Sequence, residues 1–324
     1  MTAASSSSTS HRPTNLLIRL YHRLTDYASH TGLVHLRIAF GILFLWLGIL
    51  KVFPGVSPAE PLMRASMPAF LPAFLPIDAF IRFAAVWEVI VGIGFLTNRF
   101  PRLTLFMTFC TMAITLSIFW MAPGMIWKSF PFLLSFEGTY VVKDLVIAAS
   151  AVVLIAALRR RRIASDLQAT IEVRRLTSSP LVDTYNRLER ALVDWSARHS
   201  LTLLRLAYAV VFIWFGLLKL NPETEPTLPF ILSFANPETI PFVLVVWGVV
   251  EIVIAVLLII RRYEEIAILF TLIIVIVTTA GLFLASHLAF SAPFVLTLFG
   301  QHLLKNPIFL GAALILLFGA RESR

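Results

Sequence analysis

Residues 36–54 read LRIAFGILFLWLGILKVFP, and residues 204–222 read LRLAYAVVFIWFGLLKLNP. In register, nine of the nineteen positions are identical: Leu, Arg, Ala, Phe, Trp, Gly, Leu, Lys and Pro. Each stretch is apolar and long enough to cross the roughly 30 Å of a bilayer core as a helix. An oily helix written twice, with an arginine near one end and a lysine near the other, predicts a duplicated membrane unit.

Composition agrees. The 324-residue chain is 58% hydrophobic and only 14% charged, with a mean hydropathy of +0.86. Soluble domains carry nearly twice that share of charge. Apolar runs fall near 33–53, 77–97, 102–122, 139–158, 201–220, 239–260, 264–286 and 302–319. Chains in lipid must satisfy their own backbone hydrogen bonds, so all eight are expected to be helices.

The basic residues orient them. Eighteen arginines lie in the N-terminal tail, the loops at 99–102 and 261–262, the central linker and the C-terminus. The opposite loops hold only Arg64 and Lys128. The positive-inside rule therefore predicts a cytoplasmic linker with both termini inside. The +9 net charge is accounted for by that asymmetry, so no nucleic-acid partner is expected.

The repeat reaches beyond the opening pair. WEVIVGIGF with Glu88 corresponds to VVEIVIAVL with Glu251, and SFPFLLSFEGTYVVKDLVIAA (129–149) to SAPFVLTLFGQHLLKNPIFLG (291–311). The expected fold is an all-α integral membrane protein: eight transmembrane helices as two parallel-repeat four-helix bundles, N-in/C-in. A disordered cytoplasmic tail is expected at 1–13, a first unit at 14–158, a linker at 159–181, a second unit at 182–319 and a short tail at 320–324. Before each first span, LLIRLYHRLTDYA and LVDTYNRLERALVDW have apolar residues at helical spacing, predicting amphipathic helices on the inner leaflet. The proline-rich MPAFLPAFLP and NPETEP segments predict turn-rich outer lids.

Ionised groups in the hydrocarbon are costly and need partners. Arg37 and Glu88 fall at similar depths on the helical rise, which predicts an Arg37–Glu88 pair and an equivalent Arg205–Glu251 pair. Such pairs serve either as structural ties or as a proton- or ligand-handling site. At the outer face Lys51, Glu137, Lys143 and Asp144 are expected to converge, whereas their second-half counterparts are Lys219, Phe299, Lys305 and Asn306. A cluster complete in one half suggests a working first-half site and a scaffold copy. His287 and His302 share a side but are expected at the interface, which argues against a bis-histidine haem. No metal set, hydrolase motif or nucleotide loop is present, and the single Cys110 reads as packing filler.

The first helix, the WEVIVGIGFLTNRF stretch and FEGTYVVKDLVIAA together resemble the DoxX-like family of bacterial four-helix membrane proteins. Its acid-Gly-x-Tyr-x-x-Lys-Asn/Asp run is met by Glu137, Gly138, Tyr140, Lys143 and Asp144; the match is weaker over 201–319. The family usually has one such unit, so this chain is similar to a tandem fusion. The resemblance implies a multi-pass protein of the bacterial cytoplasmic membrane, acting as the membrane subunit of a quinone-linked redox or oxidative-stress system. Lys51, Glu137 and Lys143 would then hold a bound quinone or an anionic substrate, and a redox partner protein would carry the electron-transfer cofactor. Catalytic residues and oligomeric state stay open. The alternatives are a transporter of a small solute or lipid-like molecule, and a non-catalytic scaffold.

Overall fold

The computed structural model describes residues 16–67, 75–168, 180–232 and 238–322. The expected tail at 1–13, part of the linker, and Pro68 and Pro72 of the first lid lie outside these residues. The chain begins with α1 (Leu16–Val52), α2 (Glu60–Ser66), α3 (Ile77–Thr97), α4 (Pro101–Met121) and α5 (Pro123–Ile126). A small hairpin, β1 (Trp127–Ser129) and β2 (Leu133–Leu134), leads to α6 (Phe136–Val142) and α7 (Asp144–Gln168). The same order then recurs: α8 (Pro180–Leu220), α9 (Leu228–Leu232), α10 (Ile240–Ile260), α11 (Glu264–Leu284) and α12 (Ser286–Ala289). A second hairpin, β3 (Phe290–Ala292) and β4 (Val295–Leu296), precedes α13 (Leu298–Leu304) and α14 (Asn306–Glu322).

Eight segments are long and apolar enough to cross a membrane: Thr31–Val52, Ile77–Thr97, Pro101–Met121, Phe136–Arg159, Asn186–Leu220, Ile240–Ile260, Glu264–Leu284 and Leu298–Ala320. Their surfaces are oily, with Ile38, Ile42, Phe83, Phe106, Val246 and Ile273 among the exposed side chains. That is the surface a lipid-facing bundle requires. The bundle thus has a hairpin end and a linker end.

Two features differ from the sequence-based expectation. The amphipathic stretches do not form separate helices. They run without a break into the first span of each half, making helices of 37 and 41 residues. Neither junction contains a proline to interrupt the ladder. The extension of α8 packs Val193, Ser196 and Ser200 inward. It is also tied down by Glu189 to Arg102 at 2.7 Å and Asp194 to Arg159 at 3.2 Å.

The fourth and eighth spans, conversely, are each broken near the hairpin end, at Lys143 and Lys305. Ser135 and Thr297 cap the short leading helices by accepting the N–H of Gly138 and Gly300. In the second half Pro307 follows the break and cannot donate to a preceding turn.

Packing crosses between the halves. Helix α1 lies on α3 of its own half and on α14 of the other, while α8 lies on α10 and on α7. Within each quartet the first and fourth spans also meet, but less extensively than they meet the other half. The Trp46 indole donates to the Phe294 carbonyl of the second hairpin, and the Trp214 indole to the Phe132 carbonyl of the first, each at 3.0 Å.

Beyond the first span, α2 is pinned by its own charges. Arg64 donates to Glu60 at 2.6 Å and reaches Asp78 at 2.5 Å, and the Gly55 N–H donates to Glu60 at 2.9 Å. The Arg64 hydrogen bond, helped by the Gly55 N–H, holds the Glu60 carboxyl below its ordinary value. A carboxylate with a lowered pKa stabilises the fold above its unfolded pKa, and that contribution is lost as pH falls through the folded value. Hydrogen exchange over residues 55–66 is therefore expected to stay slow at neutral pH and to accelerate only below the ordinary carboxylate range. In Glu60→Gln it should already be fast at pH 7.

Candidate functional site

The repeated glycine of the opening motif sets the first contact. A side chain at Gly48 would lie 2.8 Å from the Val89 nitrogen, and one at Gly216 would lie 2.6 Å from the Gly248 carbonyl oxygen. Only a missing Cβ allows backbones this close. Three residues further on, Lys51 and Lys219 therefore face the neighbouring helix. Lys51 Nζ donates to Glu88 at 2.5 Å, and Lys219 Nζ donates to Glu251 at 3.0 Å.

The acids are thus paired, but by the lysines and not by the arginines. Gly41 lies against Leu96, which places Arg37 beyond the linker end of α3. Glu88 is eight residues from Leu96, about 12 Å along the helix. The expectation assumed helix ends in one plane, whereas α1 and α3 are staggered. In the second half Arg205 pairs with Glu264 at 3.0 Å, both being buried. Glu264 has Pro101 as its counterpart, so comparing repeats could not reveal it. Its signal was an acid opening a helix two residues after Arg262.

The two broken spans exchange their lysines across the middle of the bundle. Lys143 Nζ donates to the His302 carbonyl at 3.0 Å and to Asn306 Oδ1 at 2.8 Å. Lys305 Nζ donates to the Tyr140 carbonyl at 2.8 Å and lies 2.8 Å from Asp144 Oδ1. Tyr140, Lys143 and Asp144 correspond to His302, Lys305 and Asn306, so the two sets of contacts mirror each other. A helix end leaves its last carbonyls without intrahelical donors, and the lysines use the ones that the breaks release. Lys305 also stands 3.4 Å from the centroid of the Tyr140 ring, and the Tyr140 hydroxyl meets Gln301 Oε1 at 3.4 Å.

The expected outer cluster is accordingly divided. Lys51 belongs with Glu88, Asp144 with Lys305, and Lys143 with Asn306. Glu137 is half-buried and makes no ion pair with the described residues.

The cavity also lies on the unexpected side. A space of about 510 Å³ opens in the second half, with Lys143, Lys219, Glu251, Thr278, His302 and Asn306 on its polar wall. Phe215, Trp247, Phe299 and Phe309 supply much of its apolar wall. The Trp247 indole donates to Glu251 at 2.8 Å, and Asn306 Nδ2 donates to Thr278 at 3.1 Å. His302 is buried, not interfacial. Its ring lies 5.8 Å from Phe136 and 6.0 Å from Phe215, and its Nδ1 has no hydrogen-bond partner among the described residues. The cavity thus lies in the half whose sequence was expected to be the scaffold copy. Trp247 and Thr278 were missed because their first-half counterparts, Ala84 and Thr115, do not stand out.

No protein-family description, curated protein or solved structure matches the chain when compared with it.

The Lys51–Glu88 pair is open to a direct check. Removing one partner of a buried pair leaves an uncompensated charge, at a cost of about 3–5 kcal/mol. Lys51→Ala and Glu88→Ala are each expected to lower unfolding stability in detergent by that order. The Lys51→Met/Glu88→Leu double variant should regain most of the loss. Strictly additive losses in a double-mutant cycle would show that the two side chains do not act as a pair.

Proposed function

We propose that the chain is a multi-pass protein of the bacterial cytoplasmic membrane that holds a quinone in the second-half cavity. In this reading it is the membrane subunit of a quinone-linked redox or oxidative-stress system, as its resemblance to the DoxX-like family implies. Both termini and the linker face the cytoplasm, on the strength of the arginine asymmetry. The two quartets are parallel repeats about an axis along the membrane normal. The matched Lys143/Lys305 and Trp46/Trp214 contacts support that arrangement.

The observation that carries the quinone reading is the cavity itself. Small-molecule sites measure about 300–1,000 Å³, are mostly apolar and have a few convergent polar groups; here the volume is about 510 Å³. A quinone ring needs a flat apolar slot with hydrogen-bonding groups at its edge. Phe215 and Phe309 offer the slot, Lys143 has an N–H beyond the two it has placed, and buried His302 Nδ1 has no hydrogen-bond partner among the described residues. When bound, a quinone supplies two-electron, two-proton chemistry. Lys143 would orient one ring oxygen, and His302 could hold or release a proton at Nδ1. Electrons would come from a partner protein.

Transport along Glu88 and Glu251 has less support, since each glutamate is closed onto a lysine of its own half. A scaffold role predicts an empty cavity.

Purification in mild detergent followed by mass spectrometry tests the reading. About one quinone per chain is expected in the wild type, falling at least several-fold in Lys143→Ala and His302→Ala. A preparation that retains its fold but carries lipid alone would sink it.

A further inference from the structure

The two halves use their lysines unequally. In the first half's set of contacts, Lys305 has a carboxylate, Asp144, at 2.8 Å. At the mirrored position, Lys143 meets Asn306, whose amide oxygen carries no charge. Its other acceptor, the His302 carbonyl, is neutral as well, and the Phe309 ring lies 5.4 Å away. The carboxylates in the cavity wall belong to its other lysine. Glu251 and Glu225 stand 3.0 and 3.8 Å from Lys219, and Glu225 Oε1 also accepts from the Thr227 N–H and hydroxyl. Lys143 is therefore a buried lysine at the cavity wall with two neutral acceptors and no carboxylate within ion-pairing distance among the described residues.

A buried charge is retained only when a counter-charge or a strong set of acceptors compensates it. We infer that the ligand supplies the missing negative charge: the cavity prefers an amphiphile with an anionic oxygen head group, seated against Lys143 and His302, and Asn306 is the residue that sets this preference. This inference rests on reading the cavity as a quinone-type ligand site and adds the charge of the head group.

The asymmetry makes Asn306 the informative position. Asn306→Asp would place at Lys143 the same carboxylate that Asp144 already gives Lys305, in a setting the fold demonstrably tolerates. The variant would pair Lys143 internally and repel an anionic head.

Binding to the full-length protein in nanodiscs, corrected for empty nanodiscs, distinguishes the possibilities. The probes are neutral 2-methyl-1,4-naphthoquinone and 2-hydroxy-1,4-naphthoquinone, which is ionised at pH 7.5. The wild type is expected to bind the anionic probe at least tenfold more tightly than the neutral one. Asn306→Asp should bring that ratio close to one by weakening the anionic probe, and Lys143→Gln should also abolish the preference. Equal binding of both probes by the wild type would overturn the charge inference and leave the cavity reading intact. A preference that persists in Asn306→Asp would equally overturn it. Binding of neither probe would remove the cavity reading, and the inference with it. The wild-type ratio needs no variant, so a misfolded mutant cannot shield the proposal.

Discussion

Four lysine ammonium groups inside an apolar bundle are the constraint around which this structure is arranged. In hydrocarbon each would be costly alone, and helix–helix association there has no hydrophobic drive of its own. The ammonium groups therefore act as cross-links. Lys51 and Lys219 join the first span of each half to the second through Glu88 and Glu251. Lys143 and Lys305 join one half to the other through released carbonyls and the side chains at 306 and 144. Small residues make the first kind possible, since Gly48, Gly216 and Gly248 bring backbones near enough for the lysine to reach. Helix breaks make the second kind possible, because an unbroken span would keep its carbonyls to itself.

Much of this architecture was legible in the amino-acid sequence. The eight apolar spans follow from hydropathy, and the burial of Glu88 and Glu251 from their place in the second span of each half. Less visible was which charge meets which. Depth counted from helix ends assumes that neighbouring spans begin in one plane, and the stagger of α1 on α3 shifts Glu88 toward Lys51 and away from Arg37. Nor could periodicity show that α1 packs on α14 and α8 on α7. That partnership depends on the arrangement of spans from different halves, and no spacing within one helix encodes it.

The cavity was hidden for a related reason. A search for residues conserved between halves finds what the halves have in common, whereas the cavity is built from what they do not. Phe215 faces its wall where Leu47 stands in the first half, Trp247 where Ala84 stands, and His302 where Tyr140 stands. The loss of acids in the second half reads, in the sequence, as decay of a site. In three dimensions the same losses accompany an opening next to Lys143.

The substitution at a single mirrored position also bears on why the two units share one polypeptide. An assembly of two identical subunits carries every residue twice, so a carboxylate exchanged for an amide would vanish from both sides of the axis together, and both central lysines would lose their counter-ions. A covalent tandem escapes that bind. One copy can keep Asp144 against Lys305, while the other takes Asn306 against Lys143 beside the cavity. Symmetry breaking of this kind needs two non-identical copies, and a tandem chain supplies both.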